Sequence, residues 1–540
     1  MNRERILTLT ALVLTLTLFA FFIIRMPTLD FDEALYRSVA QRMKASHSLW
    51  VLSWDGRDLF HKPPVFYWLV WLSSWVVDGA NAFVSALAAR IPSLLCTLGI
   101  LTYLYFSGRR FETSQNKCIG KNAVLTFLCG FFPLVTATSV LFDPLQTLCL
   151  MPALVVPTLY FYRGSLKKWD WILWSLSLFA ASATKGLNGI IVPTIAFGIH
   201  ASYGIKLYGF KVTRDLILKF IGVVFLPAVL LTFIYYFWLN GTLGTAFTHE
   251  FIWVQHFERG TSPMEQHSGS FFYHFFVVFF GGGILIPLLV DRSQSTRVPF
   301  AKLGFPLTYA LSFMVIFGLS ATKLPHYSWP VWPALALYIG LISSLPKDTL
   351  DARSQRKQWI TYVPMLVLGL FSLGLALAPL AMLELFSHSE SFQGVMKYFS
   401  GFNSFETACF FVAALACLVF EMFMEQCLQS LATCAVISTF VALGLSVGLT
   451  RTIESLMVTP FYDMAQVLKK EGAKTEDCIR YSGALSPTFS LALAPELIHN
   501  RCEPEAMKYL VSPEWKAKEC ANRGFKIIEQ KAYLVLCKKG

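Results

Sequence analysis

Charge is what this sequence has least of. Asp, Glu, Lys and Arg make up 14% of its 540 residues, against about 25% in soluble domains, which excludes a row of water-facing globules. The alternating runs of about 10 residues that build a transmembrane barrel are missing too; the apolar stretches are continuous and near the roughly 20 residues that cross a bilayer as helix. The first of them, Ile6 to Ile24, follows Arg3 and Arg5 as a secretory signal would, but Arg25-Met26-Pro27 supplies no small-residue cleavage site. An uncleaved first span is expected. Despite a formal charge of +12 and a pI near 9.1, no Lys/Arg tract is interleaved with aromatics, so no nucleic-acid partner is expected.

What is present is apolar surface. Hydrophobic residues are 55% of the chain, with 48 Phe, 20 Tyr and 14 Trp, and the mean hydropathy is +0.54. The expected fold is an all-α polytopic membrane protein with about 13 transmembrane helices. The expected spans cover 6–24, 86–106, 122–141, 144–162, 171–184, 188–204, 217–239, 271–290, 303–321, 327–345, 359–383, 405–424 and 427–449. With the N-terminus inside, the inner loops carry about twice the Lys and Arg of the outer ones, which fixes that orientation and puts the C-terminus outside.

Two outer-loop segments are expected to lie at the interface rather than span. Residues 32–45 have helical spacing of Leu35, Val39 and Met43 among charges, and Pro63 to Val77 is apolar but short. Beyond about Arg451 the composition turns polar, with helix-like and strand-like pieces, so 451–540 is expected to be a small C-terminal α/β domain on the outer side, following a membrane domain at 1–450. Eight of the 12 cysteines lie in or beside spans without metal-ligand spacing and read as apolar fillers. The other four, Cys478, Cys502, Cys520 and Cys537, suit two disulfides in an oxidising compartment, with three pairings open.

Function is expected where ionisable residues flank spans on the outer side, since topology gives them no reason to be there. Asp30, Asp32 and Glu33 follow the first span; His61-Lys62-Pro63-Pro64 opens the second interfacial segment; Asp143 and Lys185 sit at tight outer turns. His249, Glu250, His256, Glu258 and Arg259 fill one outer loop, and Lys323, His326 and Tyr327 another. Singly, such a lysine snorkels, such an aspartate caps a helix and such a histidine faces solvent. Jointly, cations, carboxylates and imidazoles on one face of the membrane can hold a phosphate leaving group and orient a nucleophile.

The stretches DEALY, HKPPVFYW, ARIPSLL, SVLFDPLQTL, SATKGLNG, QHFERG and TKLPHYSWPVWPALAL run in order from about residue 28 to 340. In that order they resemble the C-type integral-membrane glycosyltransferases that use polyprenyl-phosphate sugars. Among these the pattern is closest to the lipid A 4-amino-4-deoxy-L-arabinose transferases, with the protein O-mannosyltransferases further off. The resemblance implies an enzyme of the bacterial inner membrane with a periplasmic active site. Its donor would be a sugar on undecaprenyl phosphate, and its acceptor lipid A or another periplasmic molecule. Carried across residue by residue, it implies catalytic roles for Asp32, Asp143 and Glu33. Phosphate and donor contacts fall to Lys62, Arg259, Lys323, Tyr327 and Lys185. It also implies a divalent metal of unknown identity, for which His61 and His256 are the ligand candidates. Two positions depart from the pattern: Leu35 stands where relatives carry Arg, with Arg37 as a replacement, and His61 stands where the aminoarabinose type carries Glu. A protein or glycan hydroxyl acceptor is the nearest alternative. A transporter or lipid flippase is the alternative of another class; against it, the sequence has no evident internal repeat and its odd charges gather at one surface rather than the midplane.

Overall fold

In the computed structural model the apolar runs become helices that present large apolar side chains outward and enclose a share of polar ones. The structure describes residues 3–28, 32–54, 57–81, 83–263, 268–294, 299–345, 363–385, 404–454, 459–473, 478–481, 507–513, 518–531 and 534–539. Asp30 and Cys502 lie outside the described residues. Val13, Leu95, Phe233 and Phe237 are exposed, whereas Thr15, Arg90, Gln146 and His200 are buried. That inversion is expected of a bundle whose solvent is hydrocarbon, where polar groups must find partners inside.

Helices α1 (Arg3–Arg25), α2 (Asp32–Ala45), α3 (Val65–Asp78) and α4 (Ala86–Arg109) open the chain, with the short strands β1 (Ser53–Trp54) and β2 (Arg57–Asp58) between α2 and α3. There follow α5 (Ile119–Phe127), α6 (Phe131–Thr136), α7 (Phe142–Arg163), α8 (Lys168–Lys185) and α9 (Asn188–Tyr208). Next, α10 (Phe210–Phe220) runs through a π-helical turn at Ile221–Phe225 into α11 (Leu226–Leu243). After α12 (Thr245–Thr248) comes a second π-helical segment, His249–Glu258, and α13 (Arg259–Thr261). The membrane part continues with α14 (Tyr273–Gly281), α15 (Leu285–Gln294), α16 (Phe300–Leu303) and α17 (Phe305–Leu319). A 3-10 turn at Pro325–Ser328 then leads to α18 (Val331–Ile342), α19 (Val363–Leu385), α20 (Ser404–Met422), α21 (Met424–Leu428) and α22 (Leu431–Ile453).

Among the described residues six helices are long and apolar enough to cross a bilayer: α1, α4, α7, α9, the continuous Phe210–Leu243 and Leu431–Thr450 of α22. The other expected spans are shorter or broken. Residues 122–141 split into α5 and α6 around Cys129-Gly130, and α14 meets α15 at 95° across a glycine-rich break. The last outer turn uses Pro325 and Pro330 to delay α18. Broken backbone is tolerated at membrane depth when neighbouring helices enclose it. One such close approach is α4 on α5, where a Cβ on Gly108 would lie 2.4 Å from Gly120 Cα.

Both outer-loop helices form, α2 with the expected bounds, but α2 does not lie on the surface. It is buried on nearly every side, including Glu33, Arg37 and Lys44. Its charges are tolerated because each finds a fixed partner. Arg37 donates to the Val84 carbonyl and the Thr28 hydroxyl, and Lys44 to the carbonyls of Ser74 and Phe83. Glu33 accepts two bonds from Arg90, at 2.7 and 2.9 Å, and Arg90 also donates to the carbonyls of Phe22, Met26 and Pro27. One guanidinium thus ties the end of α1 and the start of α2 to α4.

At the C-terminal end α23 (Thr459–Lys470), β3 (Cys478–Tyr481), β4 (Met507–Pro513), α24 (Lys518–Asn522), β5 (Phe525–Lys531) and β6 (Leu534–Lys539) form a four-stranded sheet of order β3-β4-β6-β5 with helices. β3 and β4 are parallel and the other pairs antiparallel. Strand alternation sorts the faces: Tyr509 and Val511 pack on Phe461 and Met464 of α23, while Leu510 packs with Phe525 and Val535 beside the Cys520–Cys537 disulfide.

Arg90→Ala would leave the Glu33 carboxylate buried with its main partner gone, at an expected cost of about 3–5 kcal/mol. Thermal unfolding in detergent checks it; a melting temperature unchanged from the parent would show that this buried pair does not hold α1, α2 and α4 together.

Candidate active site

Five outer segments bring their charges into one pocket. Asp32 is the first residue of α2, and Asp143 lies in the first turn of α7, where Pro144 follows it into the helix. Lys185 ends α8 and Arg259 follows the π-helical segment. His61 and Lys62 precede Pro63-Pro64 at the entry to α3, and His326 and Tyr327 come from the 3-10 turn. All eight line the same cavity, with Tyr36 and Phe142.

Two carboxylates flank one imidazole. His326 Nδ1 is 3.9 Å from Asp32 Oδ2, and its Nε2 is 3.9 Å from Asp143 Oδ2. The side chain of Asp32 is 33% exposed and that of Asp143 only 3%, so Asp32 is the carboxylate an entering molecule meets. Asp143 is paired with Lys185, whose ammonium also stands 4.6 Å above the Tyr327 ring. On the other wall Arg259 NH1 donates to Gln255 Oε1 at 2.7 Å, Gln255 Nε2 donates to Glu250 Oε1 at 3.0 Å, and that oxygen is 3.5 Å from His61 Nε2.

Positive charge is in surplus in this pocket: Lys62, Lys185 and Arg259 against Asp32 and Asp143. The histidines do not add to it. Burial, then Lys62 and Arg259, hold His61 down at about 4, and burial, then Lys185, push His326 to about 3, so both are neutral near pH 7. Lys62 feels the surplus. Burial, followed by the repulsion of Arg259 and Lys185, lowers its ammonium to about 7, with Asp143 and Asp32 opposing the shift. A pocket of this kind gains by admitting an anion.

Three expected site residues lie elsewhere. Glu33 is turned onto Arg90 and the Val140 amide, so its role is to hold helices rather than to catalyse. Lys323 donates to the carbonyls of Phe317, Gly318 and Ser320, capping the end of α17 instead of reaching a phosphate. His256 has both nitrogens engaged by backbone: Nδ1 donates to the Phe251 carbonyl at 2.7 Å and Nε2 accepts from the Leu187 amide at 3.0 Å. It therefore leaves no lone pair for a metal, and among the described residues no three His, Cys, Asp or Glu side chains converge as a metal site would require. His326, Glu250 and Gln255 carry more of the site than the sequence suggested; His326 stood beside Tyr327 in the same segment, but nothing in the sequence showed the two aspartates closing on it.

Beside the pocket runs an apolar cavity of about 560 Å³ between α9, α11 and the π-helical segment, walled by residues such as Ile190, Val229, Tyr236 and Ile252. Leu187, two residues past Lys185, lines it too, and Phe233 and Phe237 carry it out to the exposed apolar surface.

The chain matches no family model. The protein named undecaprenyl phosphate-alpha-4-amino-4-deoxy-L-arabinose arabinosyl transferase 1 of Sodalis glossinidius is 26% identical over 330 residues, 60% of this chain and 56% of that one. The corresponding transferase 2 of Proteus mirabilis is 24% identical over 318 residues, 57% and 54%. The matched stretch thus spans little more than half of these relatives. The crystal structure of ArnT from Cupriavidus metallidurans bound to undecaprenyl phosphate superposes with a TM-score of 0.72 at 19% identity, covering 99% of this chain and 98% of that one. This chain shares the fold of that ArnT. The apo form of the same ArnT superposes equally, at 0.72 and 18% identity. A polytopic membrane protein of this fold agrees with the apolar helices already described.

Lys62 sets the pH dependence of anion binding. Its ammonium is charged below about 7 and neutral above, so affinity for a phosphate monoester is expected to be greatest below pH 7 and to fall by up to about tenfold per unit as pH rises past it. Lys62→Arg, always charged, should flatten that profile. Titrations from pH 6 to 9 check this; identical profiles for the two proteins would contradict it.

Proposed function

We propose that this protein transfers a sugar from undecaprenyl phosphate to an acceptor on the periplasmic face of the bacterial inner membrane, and that the acceptor is a phosphate of lipid A. The observation that carries the reading is two surfaces two residues apart in the chain: a pocket with three cations against two carboxylates, lined by Lys185, and an apolar cavity lined by Leu187. A phosphate head and a long prenyl tail need that combination in one molecule. The names of the relatives, and the undecaprenyl phosphate in the superposed ArnT structure, support the same donor.

In the proposed reaction the bond between the anomeric carbon and the donor phosphate oxygen breaks, and the electron pair leaves with the polyprenyl phosphate. Negative charge grows there, and Lys62, Lys185 and Arg259 stabilise it most in the transition state. The acceptor oxygen forms the new bond to the anomeric carbon. A lipid A phosphate arrives already ionised and needs no base, so Asp32 and His326 would orient it and the aminosugar. A protein or glycan hydroxyl would instead lose its proton, and the part-exposed Asp32 carboxylate, placed to accept it, favours this as the second reading.

In the proposed organisation, 1–450 is the catalytic membrane domain and 451–540 a periplasmic domain, with the N-terminus cytoplasmic. The loop distribution of Lys and Arg and the Cys520–Cys537 disulfide support that orientation; a reporter active only in the periplasm, fused after Gly540, tests it.

Membranes given undecaprenyl-phosphate-linked aminoarabinose are expected to yield lipid A heavier by one aminopentose unit, as read by mass spectrometry. Lys62→Ala or Arg259→Ala is expected to lower the rate about 10²–10³-fold at unchanged protein level. Modified protein or glycan beside unmodified lipid A would transfer the assignment to the second reading.

The two readings also part at the aspartates. With a phosphate acceptor, Asp32→Asn should raise KM for the acceptor more than it lowers kcat; with a hydroxyl acceptor, loss of the base should lower kcat by roughly 10²–10⁴. Steady-state kinetics with lipid A as the varied substrate separates them, and an Asp32→Asn enzyme with parental constants would remove Asp32 from both.

A further inference from the structure

The π-helical winding of His249–Glu258 has a use. In an α-helix residues five apart point about 140° away from one another, whereas the wider π turn brings them nearly into line. Two such pairs are made here: the Gln255 side chain on the Glu250 carboxylate, and His256 Nδ1 on the Phe251 carbonyl. Consecutive residues are thereby held facing different neighbours. Gln255 receives the Arg259 guanidinium, and His256 receives the Leu187 amide through Nε2.

Leu187 belongs to the turn that ends α8. Its predecessor Gly186 has φ of 119°, a conformation side chains rarely adopt, and a Cβ there would lie 2.2 Å from His256 Nε2. The imidazole thus sits directly against the backbone that follows Lys185. Its tautomer is set by its partners: a carbonyl can only accept, so Nδ1 carries the proton, and an amide can only donate, so Nε2 is bare.

Resting on the phosphate reading above, we infer that His256 is a positioning residue. It ties the Lys185 turn to the segment that carries Arg259, and so sets the spacing of two of the three cations around the phosphate. It touches neither substrate nor reacting atoms. Its hydrogen bond to Leu187 also stands between the pocket and the apolar cavity, so the head and tail sites share one piece of backbone.

The test uses the purified full-length protein and undecaprenyl monophosphate as probe. His256→Phe keeps ring volume but offers Leu187 no acceptor, and is expected to weaken binding about tenfold. His256→Gln, which can present an oxygen near the Nε2 position, should recover most of the affinity. In the Lys185→Ala background, His256→Phe should cost nothing further, because it acts through Lys185; a residue that merely supports the fold would multiply the two losses. Parental affinity in His256→Phe, or multiplied losses in the double variant, overturns the inference. If His256→Phe does not accumulate in the membrane, His256→Asn, too short to reach Leu187, replaces it, and equal affinities for Asn and Gln overturn the inference. Lys62→Ala separates the failures: weakened binding there with parental binding in His256→Phe spares the phosphate reading, while an unaltered protein that does not bind the probe overturns both.

Discussion

Like-charge repulsion among Lys62, Lys185 and Arg259 is the constraint on which the rest of the site depends. Ammonium and guanidinium groups drawn together out of water are costly unless carboxylates or an incoming anion offset them. Asp143 offsets one by pairing with Lys185, and Gln255 supplies Arg259 with a carbonyl oxygen. Burial first, and the repulsion of Arg259 and Lys185 second, draw the Lys62 ammonium down to about 7. The pocket is therefore one that an anion completes.

Holding such groups in place requires rigid surroundings, and the outer loops supply them. Buried Arg90 fixes α1, α2 and α4 together, so Asp32 at the head of α2 has a defined position. The proline pair Pro63-Pro64 sets the approach of Lys62 to α3, and the π-helical segment links Arg259 to the Lys185 turn. Glu33, Arg37, Lys44 and Lys323, which do not face the pocket, are each spent on a backbone carbonyl or a buried partner. The division explains how one face of the bundle can carry so many charges while only a few of them remain available to a ligand.

Much of this could be read from the sequence because its signals are local. Low charge and continuous apolar runs specify a helical membrane protein, and period-3.6 spacing specified α2 to its end residues. The strand-like pieces at 478–482 and 532–537 foretold β3 and β6, while β4 and β5 went unmarked. Lys62, Arg259, Lys185, Asp32, Asp143 and Tyr327 were found since ionisable residues at outer span ends stand out against a hydrophobic chain. What the sequence could not show were contacts between distant segments. Glu33 sits one residue from Asp32 yet faces the opposite way, because successive helical residues turn by about 100° and Arg90 waits on that side. His256 looked like a ligand until its two nitrogens were accounted for, and the breaks within the expected spans depend on neighbouring helices that enclose them. The second pairing expected among the C-terminal cysteines involves Cys502, outside the described residues.

The central claim is that an anion completes the charge of this pocket and restores the proton of Lys62. Proton uptake on binding measures that directly. Calorimetric titration of the purified protein with undecaprenyl monophosphate at pH 8, in buffers of different ionisation enthalpy, should show uptake approaching one proton per molecule bound, because Lys62 is neutral before binding and charged after it. The same titration on Lys62→Arg should show almost none. Binding with no proton uptake by the parent protein would contradict the claim.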